Sequence, residues 1–254
     1  MKITLAQLKP TASVSENTAL IIEAMKESSA GAVVFPEGML SGYEVNNKNW
    51  LKNLSFSELK ESAERIGDLA KQKQIDVIFG SAWQLNGAWS NCGLYINSIG
   101  ELSHVYSKIN LATMDKPYFK AGNSLPVFKF NGITAGIQIC REVRYPEQWR
   151  FLAIRGAKIF FHLNNAQKPT DTIWEHLLIS RAYENQSFVI SVNAVSSTQT
   201  LPSFIIDPDG NVLVKTNPKK DELTTIDIQL SNLKSNFLSQ RREDIINVAE
   251  YPFR

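Results

Sequence analysis

Cysteine and histidine are scarce in this sequence, with two and three residues respectively. No two of them stand at the close spacing that chelation uses, so no metal site is expected. Two thiols in 254 residues do not make a disulfide framework, and Cys92 and Cys140 are each read as free. An excess of one charge is lacking too. The 27 Lys and Arg against 25 Asp and Glu leave a net charge of +2, too small to hold a polyanion without clustered basic residues. The nearest approaches to such clusters are Lys215 with Lys219 and Lys220, and the pair Arg241 and Arg242; both read as solvated surface. No run reaches the ~20 apolar residues of a membrane span, and Met1 to Leu8 is no signal peptide. A cytoplasmic protein with no nucleic-acid or membrane partner is expected. Gly31, Gly38 and Gly42 form neither a Walker loop nor a dinucleotide fingerprint, so no cofactor is expected either.

What is present is ordinary core material: 43% hydrophobic residues and 20% charged ones, in a length that a single layered α/β domain commonly reaches. Short apolar runs read as strands at Lys2 to Leu8, Ala32 to Phe35, Ile75 to Gly80 and Lys158 to Leu163, with a fifth at Phe188 to Asn193. Helical spacing occupies Val14 to Met25, Glu58 to Lys73, Pro146 to Arg155 and Ile173 to Gln186. Paired strands are expected at Gly93 to Asn97 with Leu102 to Tyr106, and at Val127 to Phe130 with Ile133 to Ile139 around Asn131-Gly132. Phe204 to Ile206 and Val212 to Lys215 flank the turn Pro208-Asp209-Gly210. Strands alternating with helices, together with hairpins, indicate α/β layering over mixed sheets. No linker or repeat divides the chain, so residues 1–254 read as one domain, with an irregular tail from about residue 232 that lies on its own domain or on a second subunit.

Three residues stand where chemistry is done in such sheets, just beyond strand ends. Glu37 follows the run Val33-Val34-Phe35, Cys140 ends the run Ile133 to Ile139, and Lys108 sits among Ile109 and Leu111 after a strand. Each has a plain structural reading when taken alone: a turn carboxylate, a small buried hydrophobe, a surface ammonium. As a nucleophile Cys140 would need a base, since a thiol of pKa about 8.5 is mostly protonated at neutral pH. Cys92, at the start of a strand, fits the buried role better. Among His104, His162 and His176, only His162, near a strand end, could serve as a Cys–His partner.

Taken together, three segments resemble the signatures of the nitrilase superfamily of carbon–nitrogen hydrolases. Phe35-Pro36-Glu37 followed by Ser41-Gly42-Tyr43 resembles its glutamate motif, and Tyr106-Ser107-Lys108-Ile109-Asn110-Leu111 its lysine motif. The stretch Gly136-Ile137-Gln138-Ile139-Cys140-Arg141-Glu142-Val143-Arg144-Tyr145-Pro146-Glu147 resembles its cysteine motif. Arg181-Ala182-Tyr183-Glu184-Asn185 and Ser203 through Gly210 add supporting likeness. The resemblance implies a four-layer α-β-β-α sandwich with two mixed sheets, and a homodimer joined through the helix near Tyr145 to Arg155. It makes Cys140 the nucleophile, Glu37 the general base and acid, and Lys108 the cation beside the oxyanion, joined by the Arg141 backbone N–H. The reaction implied is cofactor-free hydrolysis of a small linear amide through a thioester, giving an acid and ammonia. Nitrile and N-carbamoyl amine hydrolysis are the neighbouring alternatives. A His162-assisted cysteine hydrolase and a non-catalytic binding protein on this scaffold are the more distant ones.

Three positions depart from the family pattern. Asp115 stands where a second glutamate is usual, in Met114-Asp115-Lys116-Pro117-Tyr118-Phe119, and would set the substrate beside Lys108. Arg141 replaces an aromatic residue and would either recognise a substrate carboxylate or pair with a nearby acid, and Glu142 replaces an aspartate. Tyr118, Asn164, Asn165 and Trp83 are candidate walls of the substrate pocket.

Overall fold

The computed structural model describes residues 1–47, 49–166, 173–196, 201–233 and 236–241. β1 (Lys2–Gln7) leads into α1 (Val14–Glu27), whose first turn Ser13 caps by accepting the Glu16 N–H. β2 (Ala32–Val34), the single-turn α2 (Trp50–Asn53) and the long α3 (Phe56–Lys73) follow, the last capped by Ser55 in the same manner. Then come three antiparallel strands, β3 (Asp76–Leu85), β4 (Ala88–Ile96) and β5 (Leu102–Ser107). β6 (Phe128–Phe130) and β7 (Ile133–Ile139) form a hairpin that runs into a 3-10 turn, Cys140–Arg144, and α4 (Pro146–Ile154). β8 (Ile159–Asn164), α5 (Ile173–Asn185), β9 (Phe188–Asn193), β10 (Phe204–Ile206), β11 (Val212–Lys215) and β12 (Glu222–Asp227) complete the framework.

Two six-stranded sheets result, ordered β12-β1-β2-β3-β4-β5 and β11-β10-β9-β8-β7-β6. Both are mixed: β1, β2 and β3 run parallel in the first, β7, β8 and β9 in the second, and antiparallel strands flank each trio. The α-β-β-α layering expected from the family resemblance is the observed one. Alternation along the strands explains it. Ile3, Leu5, Ala32, Val34 and Ile78 join the core that the two sheets share with Ile137, Phe161 and Leu163. Val33, Val77 and Phe79, one residue out of phase, pack with Ile21, Met25, Leu59 and Ile66 of α1 and α3. On the far side Trp149 and Leu152 of α4 and Leu178 and Ala182 of α5 cover the second sheet.

The topology puts both halves of the chemistry at strand ends. Glu37 follows β2 after two residues, Lys108 follows β5 at once, and Cys140 follows β7 at once. A glycine makes the first placement possible. Gly80 of β3 lies so close under the Glu37 segment that a Cβ there would come within 2.5 Å of both Glu37 Cα and Gly38 N.

Several expectations need correction. The strand expected at Ile75 to Gly80 runs on to Leu85, turns at Asn86-Gly87 and returns as β4 from Ala88, ahead of the start expected at Gly93. Asn86 and Gly87 both take positive φ, 50° and 77°, as such a two-residue turn demands. The Asn131-Gly132 turn, with φ of 49° and 80°, is therefore one of two such turns among the described residues. β12 was not foreseen; it covers the outer edge of β1 in antiparallel register from Lys2–Asp227 to Gln7–Glu222. Most of the C-terminal tail, 242–254, lies outside the described residues.

Replacing Gly80 by Ala should lower unfolding free energy by about 1–3 kcal/mol, the range for overpacking a rigid site. Gly31→Ala, where the nearest atom to a new Cβ is 4.0 Å away, should leave it within about 0.5 kcal/mol. Urea unfolding of the two variants measures both.

Candidate active site

Glu37, Lys108 and Asp115 are wholly buried, and a charge removed from water is tolerable only when paired and hydrogen-bonded. Lys108 meets that condition on two sides: its Nζ lies 2.8 Å from Glu37 Oε1 and 2.8 Å from Asp115 Oδ2. Burial opposes its charge, but neighbouring Glu37, Cys140 and Asp115 outweigh burial and hold the ammonium above its ordinary pKa. An ammonium carries three N–H donors, so two are engaged and one remains for a ligand. The backbone of Lys108 is pinned as well, its N–H donating to Asn91 O at 2.9 Å and its carbonyl accepting from Gly122 at 2.9 Å.

The two carboxylates are saturated unequally. Glu37 Oε1 also accepts from Asn91 Nδ2 at 2.7 Å, whereas Oε2 accepts the Asn165 backbone N–H at 3.1 Å. Oε2 therefore has acceptor capacity to spare. Asp115 Oδ2 accepts from Ala112 N at 2.9 Å besides Lys108, and Oδ1 accepts the Tyr43 hydroxyl. Burial, then the nearby carboxylates, push the Tyr43 phenol well above its ordinary pKa, so it acts as a donor to Asp115. Asp115, expected to set a substrate beside Lys108, lies in direct contact with Lys108 and holds it.

Cys140 is partly exposed and begins the 3-10 turn with φ of 51°. Left-handed backbone in a residue with a Cβ stores strain that the surroundings must hold. Burial, the negative charge of Glu37 and a hydrogen bond to Glu37 push the thiol up; Lys108 pulls the other way and loses. At rest the sulfur is a neutral thiol beside the one carboxylate able to take its proton. Cys92, in contrast, is fully buried in the core under α1 and α3, with its pKa pushed up to about 12 by burial.

Glu142 locks the turn to the lysine segment. Its Oε1 accepts from the Tyr106 hydroxyl at 2.8 Å and from the Ile109 and Asn110 N–H at 2.9 and 3.1 Å, and its Oε2 accepts from Ile139 N at 2.8 Å. Trp149 Nε1 donates to Glu142 O at 2.9 Å and Arg181 Nε to Val143 O at 3.1 Å, so α4 and α5 brace the same turn. The sequence marked Glu142 only as a departure from pattern. Asn91 and Tyr43 were not foreseen as site residues; the polar pair Ser90-Asn91 ahead of the apolar run of β4 was the available signal for the first.

Two expectations fail. His162 does not pair with the thiol: its Nε2 meets the Cys140 carbonyl oxygen at 2.8 Å and its Nδ1 meets Ser191 Oγ at 2.8 Å. Burial lowers its pKa to about 4, which keeps the imidazole neutral and unsuited to hold a thiolate. Arg141 has no acid partner among the described residues. Its Nη1 donates to Leu111 O at 3.3 Å, and its Nε is buried with no partner. Of the expected pocket walls, Trp83 packs edge-on against Phe56 in the core under α3. Tyr118 lies edge-on to Trp50 in an aromatic cluster with Tyr43 and Phe119 beside Asp115. Asn164 is wholly buried at the end of β8, and neither its oxygen nor its nitrogen has a partner.

The family profile of carbon-nitrogen hydrolases matches residues 2–235. The chain belongs to the carbon-nitrogen hydrolase family. As a member of this family, within the nitrilase superfamily, it is a hydrolase of carbon–nitrogen bonds other than peptide bonds. A hydrolase in the agr operon of Staphylococcus aureus is 31% identical over 84% of this chain and 82% of its own length. The 2-oxoglutaramate amidase of Bacillus subtilis is 31% identical over 75% of each chain. Among solved structures, an amidase from Nesterenkonia sp. superposes with a TM-score of 0.84 at 21% identity, covering 95% of this chain and 93% of its own. That likeness extends to the whole carbon-nitrogen hydrolase fold described above.

Glu142→Gln turns an amide N–H2 toward donors that now face carboxylate oxygens. It should cost about 2–3 kcal/mol of unfolding free energy, the penalty for a buried donor without an acceptor. Denaturant unfolding measures it, and an unchanged midpoint would remove Glu142 from its bracing role.

Proposed function

We propose that this carbon-nitrogen hydrolase cleaves the terminal amide of a small linear substrate through a thioester on Cys140, releasing ammonia and a carboxylic acid. The observation that carries this reading is the unequal use of Glu37. Oε1 is committed to Lys108 and Asn91, while Oε2 is open to a proton beside the thiol.

Glu37 Oε2 takes the Cys140 proton as sulfur attacks the amide carbon. The carbonyl oxygen becomes an oxyanion that accepts the third N–H of Lys108 and the backbone N–H of Arg141. The latter stands in the first turn of a 3-10 segment, where an N–H has no partner within the helix. Glu37 returns the proton to the departing nitrogen, ammonia leaves and the thioester remains. Water then gives one proton to Glu37 and attacks the thioester carbon. Collapse breaks the C–S bond, and the proton goes back to sulfur as the acid departs. Each step uses one proton on one carboxylate, and no cofactor enters the cycle.

The substrate class follows from charge. Around the thiol stand Glu37 and Asp115 with a single ammonium between them, a local excess of negative charge that favours a neutral amide at the sulfur and leaves any substrate carboxylate to a cation farther out. Arg141, one residue after the nucleophile and tethered to the loop that carries Asp115, supplies a guanidinium with a buried unpartnered Nε. It suits the distal carboxylate of an ω-amide. The 2-oxoglutaramate amidase of Bacillus subtilis, by its name, acts on such a compound.

Ammonia release should be greatest for ω-amides of short dicarboxylic acids and weaker for uncharged amides, nitriles and carbamoyl amines, with none from Cys140→Ala. Arg141→Ala should raise KM for the ω-amide at least tenfold, on the order of one lost charged hydrogen bond, and leave an uncharged amide within about twofold. Equal effects on both substrates would remove the carboxylate contact, and full turnover by Cys140→Ala would remove the mechanism.

A further inference from the structure

Among the described residues, His162 is the one buried titratable side chain that touches the nucleophile's own peptide and that the mechanism leaves without a task. Its ring is wholly buried, between the indoles of Trp149 and Trp174 with centroids 5.8 and 6.3 Å away. A carbonyl oxygen can only accept, so the 2.8 Å contact with Cys140 O puts the ring proton on Nε2. Nδ1 then accepts, and Ser191, which faces His162 in register on β9, donates to it at 2.8 Å. One tautomer satisfies both contacts.

The peptide unit so gripped is the one that supplies the oxyanion donor. Cys140 C=O and Arg141 N–H belong to a single planar trans peptide and point in opposite directions. Holding the oxygen at one end therefore aims the hydrogen at the other, and a carbonyl already engaged in a hydrogen bond polarises its peptide toward donation. The need for a grip is local: Cys140 holds φ of 51°, a conformation that persists only where neighbours enforce it. We propose that His162 is a positioning residue, anchored by Ser191, that aims the Arg141 N–H at the oxyanion through the Cys140 carbonyl. The proposal rests on Cys140 as the nucleophile, a reading that Cys140→Ala tests separately.

Two reactions of the same sulfur separate this role from general support of the fold. Amide hydrolysis develops an oxyanion. Alkylation by iodoethane does not: an S–C bond forms, the C–I bond breaks, iodide leaves and the thiol proton passes to Glu37. His162→Phe should lower kcat for the best amide by roughly 10- to 100-fold, approaching the loss of an oxyanion donor, with KM within about threefold. Alkylation of Cys140, followed by mass spectrometry, should stay within about twofold of the parent rate. His162→Gln, which retains an N–H near the Nε2 position, should recover at least fivefold of the lost kcat. Full kcat in His162→Phe, or hydrolysis and alkylation falling together, would overturn the proposal. If His162→Phe does not fold, Ser191→Ala keeps the ring and removes its anchor. A severalfold loss of kcat at unchanged alkylation then supports the role, and unchanged kcat refutes it.

Discussion

One buried ammonium organises this protein. Lys108 lies wholly buried between two carboxylates, and the desolvation of three charged groups costs several kcal/mol apiece unless each lone pair and each N–H is used. The surrounding structure reads as the answer to that demand. Asn91 and the Asn165 N–H complete Glu37, while Tyr43 and the Ala112 N–H complete Asp115. The loop from Ile109 to Phe119 folds back as it does because Asp115 must reach Lys108. What is left over is small and specific: one N–H on Lys108 and one open oxygen on Glu37. Catalysis in this account is the use of those two remainders by a substrate amide and a thiol.

The second demand is strain. Cys140 must leave the end of β7 in a left-handed conformation to present its sulfur, and several buried contacts hold it there. Glu142 joins the turn to the segment after Lys108, Arg181 and Trp149 brace it from α5 and α4, and His162 takes its carbonyl. The cysteine and the lysine arrive from different sheets, so Glu142 is the direct link that keeps their separation constant. A family position usually filled by Asp is Glu here, and its longer reach serves four donors on three segments.

The parts of this arrangement legible in the sequence were those written locally. Apolar runs of fixed period gave β1, β7, β9 and α5 to within a residue or two, because burial on one or both faces leaves a pattern no turn can mimic. Glu37, Lys108 and Cys140 were recognisable from motif and order. β4 was cut short because its first half, Ala88-Trp89-Ser90-Asn91, is mostly small or polar; Asn91 is polar because it serves Glu37. β12 escaped because Glu222, Thr224 and Thr225 lie on a part-exposed edge, where no core demands alternation. Asp115 was placed by its likeness to the family's second glutamate, and its contact with Lys108 is visible only in three dimensions. The role of His162 was illegible for a different reason. A histidine near a cysteine suggests acid–base chemistry, and only three-dimensional geometry shows that it meets the cysteine's carbonyl and not its sulfur.

The mechanism requires a covalent intermediate at one sulfur, built with a proton that Glu37 carries. Rapid-quench intact-mass spectrometry during turnover of the best amide tests that most directly. The expected result is a transient species heavier by the acyl group on the peptide that contains Cys140, formed at a rate matching the first release of ammonia and discharged by hydroxylamine. Turnover at full rate with the acyl group on another residue, or with water attacking the amide directly in a Cys140→Ser protein, would contradict it.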